Sequence, residues 1–223
     1  TATLTLGARW ERWRAYDGLN YSLAPALSVA QPGRSAWKVS PKASLAWRPS
    51  EPWLVKASFG QAYRFPTVTE LYQTVTTGPT LSVPNPDLSP ERARSAELSA
   101  ERRLGTGTVR LSLFGERIDG ALISQSAPLV AGSASLFNYV QNVERVRSRG
   151  AELVIERYRL METVEVSASA TYVDSAIVRD AAFPAAVGKR TPQVPRWRAT
   201  VTATWRPDDR LALSLGARYS DRV

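Results

Sequence analysis

Runs of six or more residues in which apolar and polar side chains alternate recur along the whole chain, and a period of two over that length specifies a β-strand with one apolar and one polar face. The clearest run places Trp37, Val39, Pro41, Ala43, Leu45 and Trp47 on one face and Lys38, Ser40, Lys42, Ser44, Ala46 and Arg48 on the other. Ala2 to Trp10, Trp53 to Gly60, Arg94 to Arg102, Val109 onward, Ala151 to Glu156, Val164 to Tyr172, Trp197 to Trp205 and Leu211 to Tyr219 repeat the pattern, which makes about nine strands. The expected fold class is all-β and antiparallel.

The connections alternate in length. RPSEP (Arg48–Pro52), LGTGT (Leu104–Thr108), the stretch near Arg157 to Glu162 and PDD (Pro207–Asp209) are short, whereas those near residues 25, 77, 130 and 185 are long. Outer-membrane barrels have this two-sidedness, with short periplasmic turns and longer extracellular loops. The short turns are therefore assigned to the periplasm and the long connections to the outside. Aromatic residues bracket the strands: Trp37 and Trp47 lie ten residues apart on one face, Trp197 and Trp205 eight. At a rise of about 3.3 Å and a tilt of about 40° these separations span roughly 25 and 20 Å, close to the height of a lipid-facing apolar band. Trp37, Trp47, Trp53, Tyr172, Trp197 and Trp205 are accordingly assigned to the two membrane girdles.

Three local features carry their own expectations. Pro41 removes a ladder N–H from a central strand, which points to a bulge. Between the strands starting at Trp53 and ending near Glu101 lie about 30 residues studded with prolines, too long for an ordinary hairpin turn, so a very long loop is expected to join them. Gly120 to Val143 has the composition of a loop, with Ser124, Gln125, Ser126, Pro128, Gly132, Asn138, Gln141 and Asn142.

Composition narrows the chemistry. The 223 residues contain neither histidine nor cysteine, so this segment offers no Ser/His/Asp triad, no His-containing zinc site and no disulfide framework. Twenty-nine basic against 20 acidic residues give +9. The basic residues are spread over every strand and loop rather than gathered in a finger or basic helix, so nucleic acid is not an expected partner. Most belong to a solvated surface, with loop arginines free to meet lipopolysaccharide phosphates or an anionic ligand. A membrane helix is excluded, because there is no window of about 20 apolar residues. Asp174, Asp180, Asp208 and Asp209 are isolated turn acids without calcium-ligand spacing.

The ordered blocks SFGQAYRFPTVTELY (Ser58–Tyr72), NPDLSPERARSAELSAE (Asn85–Glu101) and NVERVRSRGAELVIE (Asn142–Glu156), followed by TYVDS (Thr171–Ser175) and GKRTPQVPRWRATVTATWRP (Gly188–Pro207), resemble the carboxyl-side barrel of the TonB-dependent outer-membrane receptors. The similarity runs from about residue 37 onward. It implies that residues 1–223 are a partial transmembrane β-barrel domain, about nine strands of a barrel of about 22, with the plug and last strands lying outside. It also implies uptake of a scarce bulky ligand such as a ferric siderophore, haem or cobalamin, driven by the TonB complex through that plug. The partners expected are TonB, a small-molecule metal chelate, outer-membrane lipid and lipopolysaccharide. No catalytic, cofactor-binding or metal-binding residue is expected, and the chain is not expected to be an enzyme. A passive porin-like or adhesin-like barrel and, further off, a barrel protease or lipase are the alternatives.

Within the family blocks Arg64, Pro66, Glu70, Leu71, Tyr72, Asn85, Pro86, Asp87, Leu88, Pro90, Glu91, Arg149, Gly150 and Glu152 are assigned to shaping the loop base and strand entry rather than to substrate contact. Asn85 and Pro86 restrict the backbone, Asp87 is suited to accept from the amides that follow it, Glu91 to pair with an arginine, and Gly150 to a bulge or close backbone approach.

The alternation assigns Val201 to lipid at mid-membrane and Thr202 to the lumen. In the full-length receptor Val201→Arg should cost about 2–4 kcal/mol and Thr202→Arg markedly less, with arginine at 199 or 203 milder than at 201. Reversible denaturant unfolding in lipid vesicles measures all four variants. Equal costs at 201 and 202 would show that the faces are assigned the wrong way round.

Overall fold

The computed structural model describes residues 1–23, 26–77, 80–128 and 136–222. In chain order the elements are β1 (Ala2–Ala15), β2 (Leu19–Leu23), β3 (Ala26–Ala30), β4 (Arg34–Trp47), β5 (Trp53–Arg64), α1 (Val68–Tyr72), β6 (Val75–Thr77), β7 (Thr80–Val83), β8 (Glu91–Leu104), β9 (Gly107–Pro128), β10 (Leu136–Met161), β11 (Val164–Arg179), a 3₁₀ turn (Pro184–Ala186), β12 (Trp197–Trp205) and β13 (Leu213–Ser220). Nine strands make one antiparallel meander, β1-β4-β5-β8-β9-β10-β11-β12-β13. β2 and β3 form a separate hairpin, β6 pairs with β7, and β7 lies parallel to the start of β10.

The register carries one apolar face across the sheet. Leu4 sits opposite Leu45, Leu45 opposite Ala57, Ala57 opposite Leu98, Leu98 opposite Leu113, and Leu113 opposite Ala151. Farther along, Ala168, Val201 and Ala217 are partners in turn. Leu4, Leu6, Leu45, Leu98, Leu111, Leu113, Val201 and Leu215 are all exposed on it. The reverse face is polar, mixing small hydroxyls with charged side chains. Ser99, Ser112, Glu152, Thr171 and Arg198 form one cross-strand row, and Thr202 lies between Ser167 and Gly216. Hydroxyl pairs tie neighbouring strands here, as between Ser169 and Thr200 at 2.7 Å and between Thr204 and Ser214 at 2.9 Å.

Short turns join the strands at one end of the sheet, at residues 48–52, 105–106, 162–163 and 206–212, and the longer connections lie at the other. Gly105 has φ +56, the left-handed conformation that its turn needs and that glycine adopts at little cost.

Three expectations require correction. Gly120 to Val143 is not one loop: β9 runs on to Pro128 and β10 starts at Leu136, paired in unbroken register. The alternation fades there, beyond the apolar run Val109, Leu111 and Leu113 of β9. Within this stretch residues 129–135 lie outside the described residues, as do residues 24 and 25 of the connection between β2 and β3 and residues 78 and 79 between β6 and β7. Pro41 makes no bulge. The β1–β4 register passes it unchanged, while the β4–β5 ladder stops at Lys42, one residue short of the missing N–H. Gln61 Nε2 then bridges the gap by donating to the Val39 carbonyl at 3.4 Å. Lastly, the proline-rich connection of residues 65–90 carries α1, β6 and β7.

β1 and β13 are each paired along one side only. An open edge in hydrocarbon leaves backbone N–H and C=O groups unsatisfied, at several kcal/mol each. The isolated 223-residue chain should therefore not insert as a closed monomer. Refolding into detergent followed by heat-modifiability and protease-resistance assays tests this, and a resistant, heat-modifiable monomer would contradict it.

Candidate functional site: the mouth at the long-connection end

The connection of residues 65–90 is held as a structured cap by its own side chains. Thr67 is the N-cap of α1: its hydroxyl accepts from the Glu70 amide at 3.2 Å, and Glu70 Oε2 accepts from the Thr67 amide at 2.7 Å. This reciprocal capping box satisfies donors that a one-turn helix otherwise leaves open. The remaining Glu70 oxygen takes a hydrogen bond from Arg64 Nη2 at 2.6 Å, tying the helix to the end of β5.

Below the cap lies a small core. Leu71, Tyr72 and Leu88 are buried with Ala15, against Trp13, Leu122 and Val140, and Pro66 is fully buried beside them in sequence. Trp13 stacks on Phe65 with ring centroids 5.9 Å apart. Tyr72 is also fixed through its polar atoms, its hydroxyl donating to the Pro32 carbonyl at 2.9 Å and its own carbonyl accepting from Asn20 Nδ2 at 2.6 Å.

The second block closes the cap. The Asn85 amide donates to the Glu70 carbonyl at 2.8 Å, and Asn85 Nδ2 reaches the Val140 carbonyl at 3.2 Å. Asn85, not Asp87, supplies the turn acceptor: Asn85 Oδ1 takes the Asp87 amide at 3.0 Å. The Pro86 carbonyl accepts from Arg34 Nη1. Pro90 leads into β8. Among the described residues Glu91 does not pair with an arginine; its carboxylate accepts from the Leu122 amide at 2.8 Å, where the strand entering the sheet offers a backbone donor. Asn142, the first residue of the third block, bonds Ser89 through both the amide and the carbonyl, at 2.8 and 2.9 Å. Arg64, Pro66, Glu70, Leu71, Tyr72, Asn85 and Leu88 are thus brought together, joined by Trp13, Arg34 and Val140, which sequence reasoning did not single out. From sequence, Asn142 stood out only as one of the polar residues between Gly120 and Val143.

Arg149, Gly150 and Glu152 sit elsewhere, on β10. Arg149 Nε donates to Asp174 at 3.3 Å, and Glu152 accepts from Thr171 on the polar face at 3.2 Å. At Gly150 the register is continuous, so there is no bulge; a Cβ there would stand 2.1 Å from the Tyr172 carbonyl and 2.6 Å from the Phe114 ring. The six aromatics assigned to the girdles lie on the apolar face, with Tyr172 and Trp197 rings 4.9 Å apart and Arg102 over Trp53 at 5.4 Å. Asp208 and Asp180 accept from amides of their own turns.

Between the β2–β3 hairpin and α1 opens a cleft of about 460 Å³, lined by Leu19, Asn20, Tyr21, Leu27, Val68 and Tyr72 among others. Its lining mixes apolar side chains with the polar groups of Asn20, Gln73 and Thr74 in roughly equal share. A second hollow, on the polar face, is lined by charged groups including Lys56, Glu97, Glu101, Arg110 and Glu152. Among the described residues no group of acids stands together to hold a metal ion.

Burial alone would raise the Glu70 carboxyl, but the Thr67 amide, Arg64 and the Thr67 hydroxyl outweigh it and hold the group below the usual carboxylate range. A lowered folded-state value means that the cap's stability is fully present above the unfolded value and is lost as pH falls through the folded one. The cap should therefore be unchanged from pH 7 to 5 and loosen only once pH falls below the ordinary glutamate range. Thr67→Ala should cost about 1 kcal/mol locally, and Glu70→Gln should remove the acid sensitivity. Amide hydrogen exchange at Glu70 and Leu71 across this range reads both effects.

Residues 1–223 match, over their whole length, the family described as TonB dependent receptor-like, beta-barrel. No curated protein sequence matches the chain. Among solved structures it superposes on "Copper transporter OprC" with TM-score 0.72 at 20% identity, over 92% of this chain and 30% of that one. A hemophore receptor HasR double mutant from Serratia marcescens, in complex with its hemophore HasA and heme, gives TM-score 0.65 at 19% identity over 98% and 40%. The siderophore receptor PirA from Pseudomonas aeruginosa gives 0.64 at 16% identity over 84% and 36%. At these identities the likeness is one of fold, and the chain spans roughly a third of the length of each. With an apolar outer face, a polar inner face and two-sided connections, the chain belongs to the TonB-dependent receptor-like β-barrel family.

Proposed function

We propose that the chain is part of the barrel wall of an active-transport receptor in the Gram-negative outer membrane, taking up a scarce bulky ligand such as a ferric siderophore, haem or cobalamin. The observation that carries this reading is the family match over all residues 1–223. Solved relatives of the same fold are described as a copper transporter, a siderophore receptor and a hemophore receptor, which supports transport rather than an enzyme. The TonB complex would act through a plug seated against the polar face, where Ser99, Ser112, Glu152 and Thr171 form a wet wall.

In this reading the apolar face meets outer-membrane lipid, and Trp37, Trp47, Trp53, Tyr172, Trp197 and Trp205 mark its two interfaces. The fourteen family-motif residues are structural; those of the first two blocks hold residues 65–90 as a fixed rim. The cleft beside α1 contributes to first capture of the ligand, since Tyr21 and Leu27 stand exposed on one wall and Val68 on the other.

Growth of a deletion strain on single iron, haem or cobalamin sources identifies the ligand, and loss of TonB should abolish its uptake. Uptake of every candidate surviving loss of TonB would instead identify a passive barrel. Once the ligand is known, Tyr21→Ala should weaken its binding to whole cells roughly five- to tenfold, the worth of about one aromatic contact. Unchanged binding would place capture elsewhere on the rim.

A further inference from the structure

The long connections are nearly free of charge, although charged residues make up 22% of the chain. Gly18 to Gly33, Leu71 to Pro86, Gly120 to Val143 and Ala181 to Gly188 contain no Asp, Glu, Lys or Arg. Most of the charges that flank these runs are engaged by the chain itself. Arg64 is held by Glu70, and Arg34 donates to the Pro86 carbonyl. Glu91 holds the Leu122 amide, and Asp180 the amides of Ala182 and Phe183. Arg92, Arg94, Arg117 and Arg145 each give a hydrogen bond to Asp119, and Arg179 is matched by Glu144 at 2.6 Å. The arginines of this end are thus tied to carboxylates on the strands, away from the connections.

The cleft between the β2–β3 hairpin and α1 inherits this neutrality. None of the described residues that line it carries a charge. Leu19, Leu27 and Val68 supply its apolar wall. Among its polar groups, Asn20 uses Nδ2 on the Tyr72 carbonyl, and Gln73 uses Oε1 to accept from the Thr69 hydroxyl at 3.2 Å. Asn20 Oδ1, Gln73 Nε2 and the hydroxyls of Tyr21 and Thr74 have no partner among the described residues. The charge next to this wall in sequence is Asp17, exposed and in no ion pair among the described residues.

An anion entering the cleft gives up water with no guanidinium or ammonium to offset the loss, and Asp17 repels it. An uncharged ligand gives up far less, and its carbonyls, amides and hydroxyls match the free donors and acceptors of the wall. We propose that the cleft selects an electrically neutral metal chelate, one whose ligating groups cancel the charge of the metal and whose surface presents amides and short apolar groups. A ferric trihydroxamate and an amide-rimmed corrinoid share that chemistry. Anionic ferric tricatecholates and haem, with its carboxylates, are rejected because a counter-charge is missing, not because they clash. The inference rests on the transport reading above and narrows its ligand.

The test titrates the full-length receptor in detergent, by isothermal calorimetry, with the uncharged ferric trihydroxamate of a cyclic hexapeptide, cyanocobalamin, the anionic ferric tricatecholate of a serine trilactone, and haem. One of the two uncharged probes should bind roughly tenfold more tightly than either anion, with an affinity that holds between low and high salt. Which of the two binds separates hydroxamate from corrinoid. Gln73→Lys, which places an ammonium at the lip, should raise the ratio of anionic to uncharged affinity roughly fivefold and make anion binding salt-sensitive. Thr74→Lys makes the same test should Gln73→Lys fail to fold. An anion bound by the wild type as tightly as the better uncharged probe overturns the proposal. So does failure of both uncharged probes to bind, or a ratio that neither lysine moves. Uptake by cells with and without TonB separates the two readings. TonB-dependent uptake of an anionic probe would sink the neutral-chelate assignment and leave transport standing. Uptake of an uncharged probe that survives loss of TonB, with the calorimetric preference intact, would do the reverse.

Discussion

Backbone hydrogen bonding between strands is the constraint on which the rest of this structure depends. In hydrocarbon a peptide group has no water to turn to, so each strand must find both of its neighbours. Between the inner strands the ladder does so with very little slippage: the β8–β9 and β9–β10 registers are constant from end to end, and the shifts in β10–β11 are confined to the two ends of the pairing. Constant register is what lets a side-chain period of two become a continuous face, since a slip of one residue would exchange lipid side for lumen side.

Because the ladder satisfies the backbone, the two faces are free to differ. The apolar face needs bulk and no partners, and its leucines and tryptophans stay exposed. The polar face uses short hydroxyls, which pair across strands without filling the lumen. At the long-connection end neither face is dictated by hydrocarbon, and side chains take over from the ladder. There the capping box at Thr67 and Glu70, the Asn85 and Asn142 clamps, and the Leu71, Tyr72 and Leu88 core turn a proline-rich stretch into a rim.

The same change of environment explains the fate of individual expectations. Pro41 costs nothing in the β1–β4 ladder, where its register continues, and is answered on the β5 side by ending that ladder and inserting Gln61. Glu91 looked like an ion-pair partner because arginines crowd it in sequence; strand facing sends those arginines to the opposite side, where Asp119 gathers them, and leaves Glu91 a backbone amide. Asp119 itself has no local signal beyond its place between Arg117 and a glycine. Three of its four partners come from other segments of the chain.

Alternation, turn length and aromatic spacing determined, from sequence alone, the class of fold, the nine-strand meander, which residues share a face and which end carries the long connections. These properties are local: they follow from a two-residue side-chain period and from turn chemistry. What only the tertiary structure decided is where distant segments meet. The extent of β9 and β10 beyond the apolar band, the burial of Tyr72 between Asn20 and Pro32, and the convergence of Arg92, Arg94, Arg117 and Arg145 on one carboxylate depend on register between strands far apart in sequence. Register is set by all cross-strand pairs together, so no single segment could announce it.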